Sequence, residues 1–421
     1  MAATPQKRME YGKAPNYSEK RSNHLYVLVR LGSSGLKISK IVLGCMSYGK
    51  STVYLPSQSH SRSGNANWMG NWVLPEEEAS KHIKAAYDAG INAFDTANIY
   101  SNGLSEEVLG RALKKHDIPR EEVVIMTKVY FGLSRDPNET LYNTDMEAKG
   151  YVNQYGLSRK HIFDSVKASL QRLQLDYVDV LQCHRFDDDT PIEETMNALH
   201  DVVKAGYVRY IGMSSCYAYQ FHAMQNYAIT NKLTPFISMQ NHYNLVYREE
   251  EREMFPTLKA PLWCRRHPVV AASPWSGHAS DRTATKGSAD DARRDGLVCR
   301  RLTIDQTLRL TVFSMPPTVY TQHISNRTVI ERVEEIATKH GVKMAQIGIA
   351  WMLAKEGVSA PIVGTTSLKN LFEAVGGSIY LVASLQALTG VLKDAIQIKL
   401  TAEEIKYLEE PYQPLPVLGI A

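Results

Sequence analysis

Asp95 and Tyr100 stand five positions apart in "FDTANIY", residues 94–100, where an apolar run ends. Further along, Lys128 closes "IMTK" and His184 closes "VLQCH". Ser214 and Ser215 follow "YIGM", and Gln240 with Asn241 follow "ISM". An acid, a phenol, an amine and an imidazole at the ends of apolar runs make a proton-handling set. A tyrosine with a reference pKa of about 10 is a poor acid at neutral pH. A buried ammonium beside it favours phenolate and lowers that pKa, while a carboxylate holds the ammonium and balances its charge. The imidazole can then orient an incoming carbonyl. A phenolic proton donor with no nucleophile and no metal suits protonation of an alkoxide formed by hydride delivery. The acids Asp187, Asp188 and Asp189 read as solvated loop carboxylates rather than metal ligands, and "EEEREM" as a solvated helix face.

These side chains must be carried to one place. Seven apolar runs read as strands: "IVLG", "INAFDT", "EVVIMTK", "YVDVLQCH", "VRYIGMS", "FISMQ" and "PIVGT". Between them lie segments with apolar residues at helical spacing and acidic first turns, such as "EEEASKHIKAAYDAG" and "PIEETMNALHDVVKAG". Repeated strand–helix units with continuous apolar strands mean a parallel sheet covered by helices, an α/β fold. A closed (β/α)8 TIM barrel needs an eighth strand, which falls between Gln240 and Pro361 and reads poorly; "PVVAAS" is the run available for it, around 260–275. In such a barrel chemistry sits at the C-terminal strand ends, where the residues above stand. "LYVLVRLGSSGLKIS" reads as a hairpin closing the other end, residues 1–24 as a disordered arm, and 25–421 as one barrel.

The chain has 421 residues, 44% hydrophobic and 22% charged, with net charge +4. That is enough for a large core, and its scattered basic residues form neither a nucleic-acid groove nor a polybasic membrane patch. The five cysteines lie far apart without metal-ligand spacing, which is expected of a reduced, cytoplasmic protein. The apolar stretch after Gly376 is short and interrupted by polar residues, so no membrane span is expected.

The motifs "GLKISKIVLGCMSYG", "FDTANIYSNGLSEEVLGRAL", "VIMTKVY", "DYVDVLQCHRFD", "YIGMSS", "SMQNHYN" and "PIVGTTSLKNL", in this order, resemble the aldo-keto reductase superfamily. They are nearest to fungal members of the versiconal hemiacetal acetate reductase and aryl-alcohol dehydrogenase kind. The resemblance implies Tyr100 as proton donor, Asp95 and Lys128 as its tuning pair, and His184 as carbonyl orienter. It implies Ser214, Ser215 and Gln240, beside Asp95, against a nicotinamide carboxamide. It also implies Gly364, Thr365, Ser367, Lys369 and Asn370 at the adenosine phosphate end, where a helix N-terminus suits an anion. Lys369 would favour NADP(H). The implied reaction is reversible reduction of an aldehyde or ketone, on an aromatic or secondary-metabolite carbonyl substrate. The same residues would also serve a cofactor-binding regulatory protein or a defective paralogue. Nothing fixes an oligomeric state.

The chain departs from that pattern at Ser215, where most relatives carry asparagine. It also departs at three irregular stretches, near 52–72, 260–325 and 376–394. After the sixth strand relatives read roughly G-V-I-P-W-S-P-L-A-R-G, a strand and loop that fold over the cofactor pyrophosphate. Back-translated with free codon choice and shifted by one base, "CRRHPVVAASPWS" spells A-G-V-I-P-W-S-P-L-A-R-G throughout. This points to a frameshift or displaced exon boundary across about 260–325. The run 376–394 has the place of an unspliced intron.

Overall fold

The computed structural model describes residues 28–50, 73–136, 141, 144–259, 269–272, 324–375 and 396–417. The expected arm at 1–24, the stretches 52–72 and 376–394, and nearly all of 260–325 lie outside them. Eight strands pair in parallel in one sheet. They are β3 (Val42–Gly44), β6 (Ala93–Asp95), β7 (Val124–Val129), β8 (Val178–Cys183), β9 (Val208–Ser214), β10 (Phe236–Asn241), β11 (Val269–Ala272) and β12 (Ile362–Val363). Ladder order follows chain order from β3 to β11, with β12 returning beside β3. Among the described residues no pairing joins β11 to β12.

The seven expected runs all became strands, and β11 falls within "PVVAAS". It pairs with β10 from Ser238↔Val269 to Asn241↔Ala272. Strands β7 and β8 are buried at all six positions because helices cover one face and the sheet's own interior the other. The outer layer holds α1 (Glu76–Asp88), α2 (Leu104–Lys115), α3 (Arg159–Leu173), α4 (Ile192–Lys204), α5 (Ala218–Thr230), α6 (Met254–Lys259), α7 (Ile324–His340), α8 (Met344–Ala354), α9 (Leu368–Val375) and α10 (Ala402–Glu409).

The hairpin formed by β1 (Leu28–Arg30) and β2 (Lys37–Ser39) pairs antiparallel, Leu28↔Ser39 to Arg30↔Lys37. Its Leu31 and Ile38 join Val42, Ala93, Val124 and Ile362, the first residues of four sheet strands, in an inner apolar cluster. The hairpin therefore plugs the N-terminal end of the sheet and leaves the C-terminal end to the polar residues. A short parallel pair, β4 (Tyr48–Lys50) and β5 (Leu74–Pro75), leads into α1.

"EEEREM" is not a solvated helix face. Glu249–Glu251 form a 3-10 turn, and Glu249 and Glu250 are buried. Their partners are partly local and partly from far along the chain. Arg248 donates to Glu251 at 2.6 Å and to Glu409 of α10 at 3.0 Å, Lys355 and Trp351 Nε1 also donate to Glu409, and the Tyr412 hydroxyl donates to Glu249 at 2.5 Å. Burial of that many charges is tolerable only because each meets an opposite charge or donor.

Candidate active site

Alternation along β7 sends Met126 and Lys128 into the barrel and Ile125, Thr127 and Val129 toward the helices. Lys128 is 1% exposed. Its ammonium donates to Asp95 Oδ2 at 2.6 Å, to the Thr96 carbonyl at 2.9 Å and to the Tyr100 hydroxyl at 3.2 Å. All three acceptors lie on or just beyond β6, the neighbouring strand. On β8 the same alternation turns Val180 and Gln182 inward. Gln182 Nε2 donates to Asp95 Oδ1 at 3.0 Å, and Gln240 Nε2, from β10, approaches Asp95 Oδ2 at 3.4 Å. Asp95 is thus the hub, held by one ammonium and two amides. His184 follows β8, its ring edge-on to Tyr100 at 5.8 Å and to Phe131 at 5.1 Å.

Burial would lower the Lys128 pKa, but Asp95 and Tyr100 outweigh it and hold it above its ordinary value, so the amine stays charged. His184 goes the other way. Burial, with the charges of Lys128 and Arg185, pushes it well below the usual histidine range, so the imidazole is neutral at physiological pH. For Tyr100 the expected lowering does not occur. Burial raises its pKa, Lys128 only partly offsets this, and Asp95 adds to the rise. Placing phenolate in a water-poor site costs more than the neighbouring ammonium returns. The phenol therefore keeps its proton until a stronger base meets it.

Ser214 is buried at the end of β9, level with Gln240 in the ladder. Ser215 next to it has left-handed backbone, φ 47°, and its N–H donates to the Gln240 carbonyl at 3.0 Å and to Asn241 Oδ1 at 3.3 Å. Asparagine tolerates that conformation better than serine, a physical reason for the asparagine expected there. Among the described residues Gln240 Oε1 and His184 Nδ1 are buried without a hydrogen-bond partner. A buried acceptor left unmade is costly, so Gln240 Oε1 fits an amide N–H brought by a bound molecule.

The remaining expected residues form a separate group at the start of α9. Thr365 Oγ1 accepts from the Ser367 N–H at 3.2 Å, and Ser367 Oγ from the Asn370 N–H at 3.5 Å. Gly364 and Lys369 are exposed. Ser47 Oγ donates to the Thr365 carbonyl at 3.4 Å, tying this group to the loop after β3.

Sequence reasoning missed Gln182, although it stands two residues before His184 and so shares its strand face. It also misplaced Asp187, which is buried: its carboxylate accepts from the Leu157 N–H at 2.6 Å and the Thr190 hydroxyl at 2.7 Å, and so pins the loop before α3. Among the described residues no group of three or more His, Cys, Asp or Glu is placed to hold a metal ion, and no helix is long and apolar enough to cross a membrane.

The model of the aldo/keto reductase family matches residues 40–412. The chain is 42% identical over 387 residues to versiconal hemiacetal acetate reductase of Aspergillus parasiticus, covering 91% of this chain and 96% of that one. It is 40% identical over 403 residues to a protein named as an aryl-alcohol dehydrogenase in Schizosaccharomyces pombe, covering 92% and 96%. To an aldo-keto reductase of Fusarium vanettenii it is 40% identical over 397 residues, covering 92% of each.

Proposed function

The chain belongs to the aldo/keto reductase family, and from that premise we propose that it catalyses the reversible, NADPH-dependent reduction of an aldehyde or ketone to an alcohol in the cytoplasm. The observation that carries this reading is the buried Lys128 ammonium, held by Asp95 at 2.6 Å and aimed at the Tyr100 hydroxyl at 3.2 Å. Gln240, whose buried Oε1 has no partner among the described residues, would hold the nicotinamide carboxamide together with Ser214 and Ser215. Thr365, Ser367 and Asn370 at the start of α9 would hold the adenosine phosphate end, with exposed Lys369 near a 2′-phosphate. When bound, the reduced dinucleotide supplies a hydride.

The chain's own work is on the carbonyl oxygen. Neutral His184 keeps one N–H that can donate to this oxygen and so orient the carbonyl. Tyr100 gives its proton to the same oxygen as negative charge develops there. The charge then left on the phenolate faces Lys128, and Asp95 keeps that amine in place throughout. Burial keeps the phenol protonated at rest and strengthens the attraction of the ammonium for the phenolate.

The substrate is read as an aromatic or secondary-metabolite carbonyl, the aryl-alcohol dehydrogenase name of one relative supporting the aromatic part. The test is loss of NADPH absorbance with a panel of aromatic aldehydes. Turnover is expected for the wild type and a loss on the order of 100-fold or more for Tyr100→Phe, with NADPH affinity by cofactor fluorescence retained. Lys369→Ala should weaken NADPH binding and leave NADH binding alone. A wild-type chain that oxidises NADPH with no carbonyl in the panel, or a Tyr100→Phe variant at full rate, sinks the reading.

A further inference from the structure

Three consecutive residues after Tyr100 have left-handed backbone: Ser101 at φ 50°, Asn102 at φ 53° and Gly103 at φ 94°. Glycine takes such angles freely and asparagine more readily than most residues, whereas serine does so only under constraint. A run of this kind persists where its surroundings over-determine it. Each residue here is held. Ser101 Oγ donates to the Tyr48 carbonyl at 2.7 Å. Asn102 Nδ2 donates to the Ser134 carbonyl at 2.9 Å, and Asn102 Oδ1 accepts the Ser134 N–H at 2.8 Å. Gly103 lies so close to Arg172 that an added Cβ would stand 2.9 Å from its Cδ, and Arg172 Nε is fixed by buried Glu106 at 2.7 Å.

The placement of this turn matters. Tyr100 is the residue immediately before it, and a rotation of one peptide would swing the phenol away from Lys128. Ser134 belongs to the segment after β7 that also carries Phe131, whose ring abuts His184. Asn102 therefore joins the tyrosine turn to the wall beside the histidine. Its amide is matched to both main-chain groups of one residue, so it gives a fixed geometry rather than a general attraction.

We propose that Asn102 is a positioning residue: its left-handed backbone and its paired hydrogen bonds to the Ser134 main chain set the Tyr100 hydroxyl against Lys128 and hold Phe131 against His184. This rests on the reading of Tyr100 as proton donor.

The test compares full-length wild type with Asn102→Gly, Asn102→Ala and Asn102→Asp. Glycine keeps the left-handed backbone and removes both side-chain bonds, alanine removes both features, and aspartate keeps the acceptor. The Gly variant is expected to unfold at the wild-type temperature and bind NADPH with wild-type affinity. Its kcat for an aromatic aldehyde should fall on the order of 10- to 100-fold, the effect of a misplacement of about 1 Å. The Asp variant should recover part of that loss, and the Ala variant should also be less stable. An independent readout is the Tyr100 resonance in protein labelled at tyrosine Cζ, assigned by its loss in Tyr100→Phe and expected to shift or broaden in the Gly variant. A folded Gly variant with that resonance unmoved, or with wild-type kcat, overturns the proposal. Should the wild type reduce no carbonyl, the reductase reading fails alone, because the resonance still decides whether Asn102 positions the tyrosine.

Discussion

Lys128 has almost no contact with water, yet it keeps its charge because three oxygens surround it, one of them a carboxylate. Removing one partner of such a pair leaves an uncompensated buried charge. Glu250 is the opposite case. Burial raises its pKa to about 7, Glu249 adds to the rise, and a hydrogen bond from Asn241 only partly counters them. Between its ordinary 4.5 and about 7 the folded chain holds a proton that the unfolded chain has lost. This contribution to stability is full below that interval and lost as pH rises through it, by about 3 kcal/mol. Glu250→Gln cannot lose that proton. Urea unfolding of both chains at pH 5 and pH 8 is expected to show the variant gaining on the wild type at pH 8. An equal difference at the two pH values refutes this. Glu250 abuts Asn241, which also accepts from Ser215, so the same experiment touches the floor of the candidate carboxamide site.

At the scale of elements, α2 and α3 meet at Gly110, where an added Cβ would stand 2.2 Å from the Leu173 carbonyl oxygen. Alanine is favoured over glycine in a helix by about 1 kcal/mol, while overpacking costs about 1–3 kcal/mol. The obstacle here is backbone that cannot turn aside, so the clash wins. Gly110→Ala is expected to lower the thermal unfolding midpoint, and an unchanged or higher midpoint would show that the helices can part freely. Most of the sheet was legible in the chain because the strands from β6 to β10 are apolar runs closed by a polar residue. Asp95, Lys128, His184 and Gln240 could be picked out at those ends for that reason. What stayed hidden depends on distance along the chain. Nothing near Glu249 announces Tyr412, and nothing near Asp187 announces the Leu157 amide it caps. The net direction of the Tyr100 pKa was hidden too, because burial is a property of the assembled barrel and not of the heptapeptide that holds the phenol.

At the scale of the whole molecule the sheet needs a strand after β10, and four residues, Val269–Ala272, supply it. The shifted reading places a family-like strand and pyrophosphate loop over the same stretch, its tryptophan beginning inside codon 269. The spliced transcript, sequenced, is expected to carry A-G-V-I-P-W-S-P-L-A-R-G in its working frame. A message encoding "CRRHPVVAASPW" in frame rules that out. The other closure comes from the far end of the chain. Glu409 and Tyr412 complete the charges of Arg248 and Glu249, which precede them by more than a hundred residues. A ribosome builds from the amino end, so those charges wait, half-satisfied, until residues 409–412 have been made. Those late residues act as a latch, and a chain cut just before Glu409 would keep its strands and its lysine but leave the latch undone.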